Sequence, residues 1–364
     1  MDKFTVILPR EEAAQRIAVV ERFTGNPTTL PAVAGVQILV EKKGVTLRAT
    51  NLEEFIEASI PAKVEGEGSV VVPGVVFSQV VSTSKGEHIT LSLKDGVLQV
   101  GEAKLRALAS DDFPSPPSLQ TKQRERGIEG EVLMNIFEAT LPAVATSTIK
   151  PELTGIYCNL DETQGLAAAT DSFRLAEKRV SLERGDPIQG IIIPRRSAAS
   201  VLRLLNKRSS ATIHTDGKQC RFSFDGFVYT TRLIEGTFPD YERVVPTTFA
   251  TKAVIEKEVF AYALKRTAIF SDQFSYVRLT VDPSAGVIRL FASNQQVGEV
   301  QEEVAAAVEG DPQEVGFNLR YLQEGLPPIA AQRVILQFVG GNKPLVITGE
   351  GDSSYRYLTM PMNR

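Results

Sequence analysis

Two histidines, His88 and His214, and two cysteines, Cys158 and Cys220, are all that this 364-residue chain offers to imidazole, thiolate or zinc chemistry. All four fall in alternating, strand-like runs. The cysteines lie far apart, which reads as two buried free thiols rather than a disulfide or a metal pair. There is no HExxH, no CxxC, no P-loop and no glycine-rich dinucleotide fingerprint after a strand. Carboxylates occur side by side at Glu53-Glu54, Asp111-Asp112 and Glu302-Glu303. Neighbours on a strand point to opposite faces, so these pairs read as solvated or interface charge and not as acid/base dyads. Asp171 alone invites inspection, yet the equivalent positions of two related segments hold Asn51 and Asn294, the pattern of a turn former. The chemistry expected is binding, with no metal and no cofactor.

The composition sets further bounds. Hydrophobic residues make up 43% and charged residues 23%, within the range of globular proteins, and 364 residues call for two or three domains. No apolar run reaches the ~18 residues that cross a bilayer, and Met1-Asp2-Lys3-Phe4-Thr5-Val6 is no secretory signal, so a cytoplasmic location without membrane attachment is expected. The formal charge of −4 denies the chain a general basic surface. Any contact with nucleic acid must come from a local stripe or from geometry.

The elements that carry these residues repeat. Val36, Ile38 and Val40 alternate up to Gly44, then Val45, Leu47 and Ala49; Ile156, Cys158 and Leu160 do so up to Gly165; Val277, Leu279 and Val281 up to Gly286. The three glycines are spaced 121 residues apart, and each is expected to supply the positive φ of a hairpin turn. Pro73 and Pro194, also 121 apart, follow β-branched runs and precede helical patterns, the place of a first-turn proline; the third copy has Gly316-Phe317-Asn318 there. Thr50-Asn51, Thr170-Asp171 and Ser293-Asn294 end equivalent strands, and Phe113-Pro114, Phe238-Pro239 and Met360-Pro361 close the copies. Boundaries fall at residues 1–124, 125–248 and 249–364.

Each copy also carries two amphipathic helical patterns, giving an α+β architecture of three tandem units with helices on one side of antiparallel sheets. The helix after Pro194 buries Ala198, Val201, Leu202 and Leu205 and aligns Arg196, Arg203 and Lys207 on its other face. The helix around Phe260 and Leu264 turns Lys265 and Arg266 outward.

Several segments then become specific. Leu153-Thr154-Gly155, Ala169-Thr170-Asp171-Ser172-Phe173-Arg174-Leu175-Ala176, Phe238-Pro239-Asp240-Tyr241-Glu242-Arg243-Val244 and Tyr357-Leu358-Thr359-Met360-Pro361-Met362 occur in order within the threefold repeat. Together they resemble the bacterial β sliding clamp family, the processivity subunit of the DNA polymerase III holoenzyme, over the whole chain. The resemblance implies a non-catalytic protein that closes as a head-to-tail homodimeric ring around double-stranded DNA without reading its sequence. It implies tethering of the replicative polymerase catalytic subunit, the clamp loader and repair polymerases through short peptides.

The site residues follow from the same resemblance. A peptide pocket would be lined by Leu153, Thr170, Arg174, Leu175, Pro239, Arg243, Val244, Leu358, Met360, Pro361 and Met362; read without the resemblance, Leu153, Leu175 and Met360 are better taken as ordinary core. Duplex DNA would be faced by Lys150, Arg195, Arg196, Arg203, Lys207, Lys265 and Arg266. The dimer contact would set Ile269 and Phe270, with acidic Glu299, Glu302 and Glu303, against Lys104 and Arg106. Asn26 and Val75 stand where basic residues are common in the family, and the ending Asn363-Arg364 departs from the usual tail. An enzyme with a site near Asp171 or Asp240, or a repeat scaffold that encircles nothing, are the alternatives.

Overall fold

In the computed structural model, which describes residues 3–26, 30–108, 112–120, 124–205 and 209–362, the alternating segments form antiparallel hairpins in all three repeats. Among the residues considered above, Met1, Asp2, Asp111, Lys207 and Asn363-Arg364 lie outside that set.

The first repeat runs β1 (Lys3–Pro9), α1 (Arg10–Val20), β2 (Gly35–Glu41), β3 (Gly44–Thr50), β4 (Glu54–Ile60), β5 (Lys63–Pro73), α2 (Gly74–Thr83), β6 (His88–Lys94), β7 (Val97–Val100) and β8 (Ala103–Arg106). The second runs β9 (Arg124–Glu129), α3 (Gly130–Thr140), β10 (Gly155–Leu160), β11 (Gln164–Thr170), β12 (Arg174–Ser181), β13 (Ile188–Pro194), α4 (Arg195–Leu204), β14 (Ser210–Thr215), β15 (Gln219–Phe224) and β16 (Phe227–Arg232). The third runs β17 (Thr251–Glu256), α5 (Lys257–Ala268), β18 (Tyr276–Asp282), β19 (Val287–Asn294), β20 (Gly298–Ala305), β21 (Ala307–Gly310), β22 (Gln313–Asn318), α6 (Leu319–Gly325), β23 (Arg333–Phe338), β24 (Leu345–Gly349) and β25 (Asp352–Thr359).

The chain gathers into two units that divide the second repeat: Met1–Gly130 with Arg203–Leu233, and Glu131–Leu202 with Ile234–Arg364. The first unit holds a twelve-stranded sheet, β8-β7-β6-β1-β5-β2-β3-β4-β16-β15-β14-β9, in which β4 of the first repeat pairs with β16 of the second. The second unit holds a nine-stranded sheet, β13-β10-β11-β12-β25-β24-β23-β17-β21, joined by β12 and β25, and a four-stranded sheet, β20-β19-β18-β22. Strands β8 and β20 each stand at a sheet edge.

Local details correct two expectations. Pro73 and Pro194 are the last residues of β5 and β13, and the helices begin one residue later. A residue without an N–H suits a strand that is ending, and Pro73 has extended, not helical, ψ. In the third repeat Asn318 replaces it as a true N-cap, its side chain accepting from the N–H groups of Arg320 and Tyr321. Gly44 and Gly286 do have positive φ, whereas Gly165 does not. At Gly165 the need is space, since a Cβ would lie 2.8 Å from Val180 Cγ2.

One five-residue turn recurs. At Thr50–Glu54 the threonine hydroxyl donates to the Glu54 carbonyl at 2.8 Å, and Asn51 Oδ1 accepts from the N–H groups of Glu53 and Glu54. Thr170 and Asp171 treat Phe173 and Arg174 the same way, and Thr215 and Asp216 treat Lys218 and Gln219 the same way. The middle residues Leu52, Ser172 and Gly217 share φ between 76° and 86°. Asp171 is thus a turn former. Glu54, expected at the surface, is instead 2% exposed, with Oε2 accepting from Asn51 Nδ2 and Oε1 from the Tyr229 hydroxyl.

Candidate peptide cleft and partner surfaces

The cleft begins with a strand pairing. Arg174 lies opposite Thr359 and Leu175 opposite Leu358 on β12 and β25, and the ladder continues as Met360 N–H donates to the Phe173 carbonyl at 2.8 Å. The Thr170 turn and the end of the chain therefore meet. Beneath them Leu153, Leu175, Leu358, Ala145 and Val346 pack into one apolar cluster with Phe238 and Tyr241. Phe238 stacks on Tyr157 at 5.1 Å and meets Tyr241 edge-on at 6.1 Å. The Tyr241 hydroxyl donates to buried Glu177 at 2.7 Å, and burial together with that carboxylate pushes the phenol pKa upward.

Above this floor opens a cleft of about 830 Å³, in the range of small-ligand sites. Leu153, Thr170, Leu175, Pro239, Arg243, Val244 and Met360 line it. Arg174 and Leu358 line a recess of about 70 Å³ that shares Thr170, Leu175, Val244 and Met360. Pro361 and Met362 line neither; Met362 N–H is tied to the Gly316 carbonyl at 2.8 Å. The 63% exposure of Val244 and 62% exposure of Phe173 leave apolar surface at the rim. Sequence reasoning passed over Tyr241, although it stands in the quoted Phe238–Val244 segment, and over Val339 and Pro344, which carried no signal of their own. Lys150, expected to face DNA, is among the residues that line the cleft.

The arginines are less available than expected. Arg174 Nε donates to Asp171 Oδ2 at 3.0 Å, its other arm pairs with Glu324 on α6, and its guanidinium lies 4.1 Å from the Tyr321 ring centre. Burial opposes its charge, but Tyr357 and the bonded Glu324 carboxylate outweigh that, and its pKa stands above the ordinary arginine value. Arg243 pairs with Asp240 at 2.6 Å on the open surface. Asp171 and Asp240, the positions where an enzyme site would centre, are therefore each matched to an arginine. No group of three or more His, Cys, Asp or Glu among the described residues is placed to hold a metal ion.

On α4, Arg196 and Arg203 are exposed, while Arg195 is half-buried and donates to the Val144 carbonyl at 2.9 Å. Lys265 is exposed on α5. Arg266 instead pairs with Glu302 at 3.1 Å, so a residue expected on DNA and one expected at the dimer contact form a single ion pair. Glu302 points to the α5 side of β20, whereas Glu299 and Glu303 point away, as strand alternation requires; the three acids do not share a face. Glu303 is matched to Arg289 at 2.8 Å. Ile269 is 65% exposed and Phe270 half-buried, with exposed Phe274 and Val297 near them in sequence and in the bend before β20. On edge strand β8, Lys104 and Arg106 are exposed and flank buried Leu105.

Comparison with known proteins shows the family and the fold. The family model of the DNA polymerase III beta subunit matches the chain in three parts: N-terminal domain over residues 3–117, central domain over 127–240 and C-terminal domain over 242–363. The beta sliding clamp of Staphylococcus aureus is 29% identical over 350 residues, covering 92% of this chain and 93% of the relative. Among solved structures, the Bacillus subtilis DNA polymerase sliding clamp superposes with a TM-score of 0.93 at 22% identity, covering all of both chains. The Bartonella birtlesii sliding clamp, bound to griselimycin, gives 0.92 at 25% identity, again over all of both chains. With the three domains matched in order along its length, this chain belongs to the DNA polymerase III beta subunit family, the bacterial β sliding clamps.

Proposed function

We propose that this clamp recruits its partners through the cleft between the Thr170 turn and β25, and that its clamp domains divide near residues 124 and 248. The observation that carries the reading is the β12–β25 pairing, which builds an apolar cleft from two different repeats with exposed Val244 and Phe173 at its rim. Leu153, Leu175, Val244 and Met360 receive apolar side chains of a short peptide, while Lys150, Arg243 and the polar rim hold its main chain. A site of this size and openness binds a linear peptide on the order of micromolar, so polymerase, loader and repair polymerases exchange on one ring.

The ring itself forms where edge strands meet. The β8 edge with Lys104 and Arg106 faces the β20 edge with Glu299 of a second copy, and Ile269 and Phe270 supply the apolar part of the contact. Two such contacts close a head-to-tail dimer. Encirclement gives persistence by topology, which a chain of net charge −4 needs, because it cannot grip phosphates strongly. Arg196, Arg203 and Lys265 centre the duplex. No helix among the described residues is long and apolar enough to cross a membrane. The reading as a DNA clamp supports a cytoplasmic location.

The test is loading onto nicked circular DNA, followed by linearisation at moderate salt. Retention on circles and loss from linear ends supports encirclement; equal release from both refutes it.

A further inference from the structure

Arg174 is the most enclosed cation of the cleft, and both of its arms are taken. Asp171 holds one arm from within the turn, where its other oxygen already caps two N–H groups, so that contact is fixed by the backbone. Glu324 holds the other arm from a different element, α6, and differs in being 38% exposed against 15% for Asp171. Tyr321, one helical turn earlier, brings its ring under the same guanidinium. The helix is seated by Gly325: a Cβ there would lie 2.5 Å from Tyr357 Cδ1 of β25, so only glycine lets α6 rest on that ring and hold Glu324 at the recess.

We infer that Glu324 is a specificity-determining residue of the cleft, occupying Arg174 so that a ligand carboxylate reaches this arginine only by displacing it. The inference rests on the reading of the cleft as a peptide site. Arg174 with Asp171 and Glu324 carries a net charge of one negative at the recess, which repels a ligand acid and leaves amides and apolar groups unaffected. Glu324 is exposed enough to rotate into water, whereas Asp171 is not, so discrimination falls on Glu324. Its role is to position and mask Arg174 rather than to touch the ligand.

The experiment uses the full-length clamp and labelled peptides from the clamp-binding segment of the replicative polymerase, prepared in pairs with glutamate or glutamine at each polar position. Affinity is read by fluorescence anisotropy for the native protein and for Glu324→Gln, with Arg174→Ala as a second variant and thermal melting as the control for folding. At the position that meets the recess, Glu324→Gln tightens the glutamate peptide roughly threefold to tenfold, leaves its glutamine twin within twofold, and loses the gain at high salt. Arg174→Ala leaves Asp171 and Glu324 without their cation and so widens the difference between the twins. Equal effects on both twins, or none at any position, overturn the role of Glu324 while peptide binding itself persists. Failure of every peptide to bind the native protein overturns the cleft reading instead, and the inference with it.

Discussion

The hydroxyl of Tyr229 donates to Glu54 Oε1 at 2.7 Å, joining β16 of the second repeat to β4 of the first inside one sheet. Both residues are buried, and Glu54 also receives Asn51 Nδ2. A buried carboxylate stripped of a donor keeps its desolvation cost without the compensating bond. Tyr229→Phe therefore lowers the stability of this unit by about 1–3 kcal/mol, measured by denaturant unfolding with a probe in the first repeat. Glu54→Gln, which keeps an acceptor but no charge, costs less.

The cleft makes an ordered prediction for its apolar lining. Leu175→Ala and Met360→Ala each weaken peptide binding at least tenfold, the scale of losing one buried apolar anchor. Met362→Ala has a smaller effect, because Met362 lines neither part of the cleft. Titration of labelled peptide, with sedimentation as a check that the dimer survives, reads the order.

At the edge strands, Ile269→Glu sets an unpaired charge in the apolar contact and yields monomers near 39.7 kDa by sedimentation. Lys104→Glu with Arg106→Glu weakens the dimer in a salt-dependent way, and Glu299→Lys partly restores it. Arg266→Gln leaves Glu302 without its partner and so changes dimer stability more than it changes sliding on DNA.

Burial alone pushes the Cys158 thiol up to about 12 from an ordinary value of 9.0. In the folded protein it stays protonated and resists alkylation at pH 8, while the unfolded chain reacts. The folded pKa is the higher one, so the stability this thiol contributes is complete below pH 9 and is lost as pH rises from there towards 12. Alkylation rates at pH 8 with and without denaturant test the first statement, and unfolding between pH 8 and 11 tests the second.

The repeat, its hairpins and its helix pairs were legible because alternation and helical periodicity are local. Val36, Ile38 and Val40 announce a buried face whatever surrounds them. The cleft was legible only through segments that resemble a family, since Leu153, Leu175 and Leu358 are as apolar as any core residue. What could not be read was which residues meet over long separations in the chain. Nothing local ties Arg174 to Glu324, Arg266 to Glu302 or Tyr229 to Glu54, and each pair engages a charge that the sequence presents as unpartnered. The left-handed positions Leu52 and Ser172 were missed for the opposite reason: the turn imposes that conformation on residues that do not advertise it.

The strand seams between repeats have a mechanical side. At each seam, β4 with β16 and β12 with β25, five residues are paired across the junction. A pull that spreads a closed ring loads such a ladder in parallel along its whole length, and the covalent chain backs it up. Contacts between separate chains have no such tether. Tension around a closed ring of such chains is therefore expected to be released where two chains meet, with the sheets of each chain kept whole.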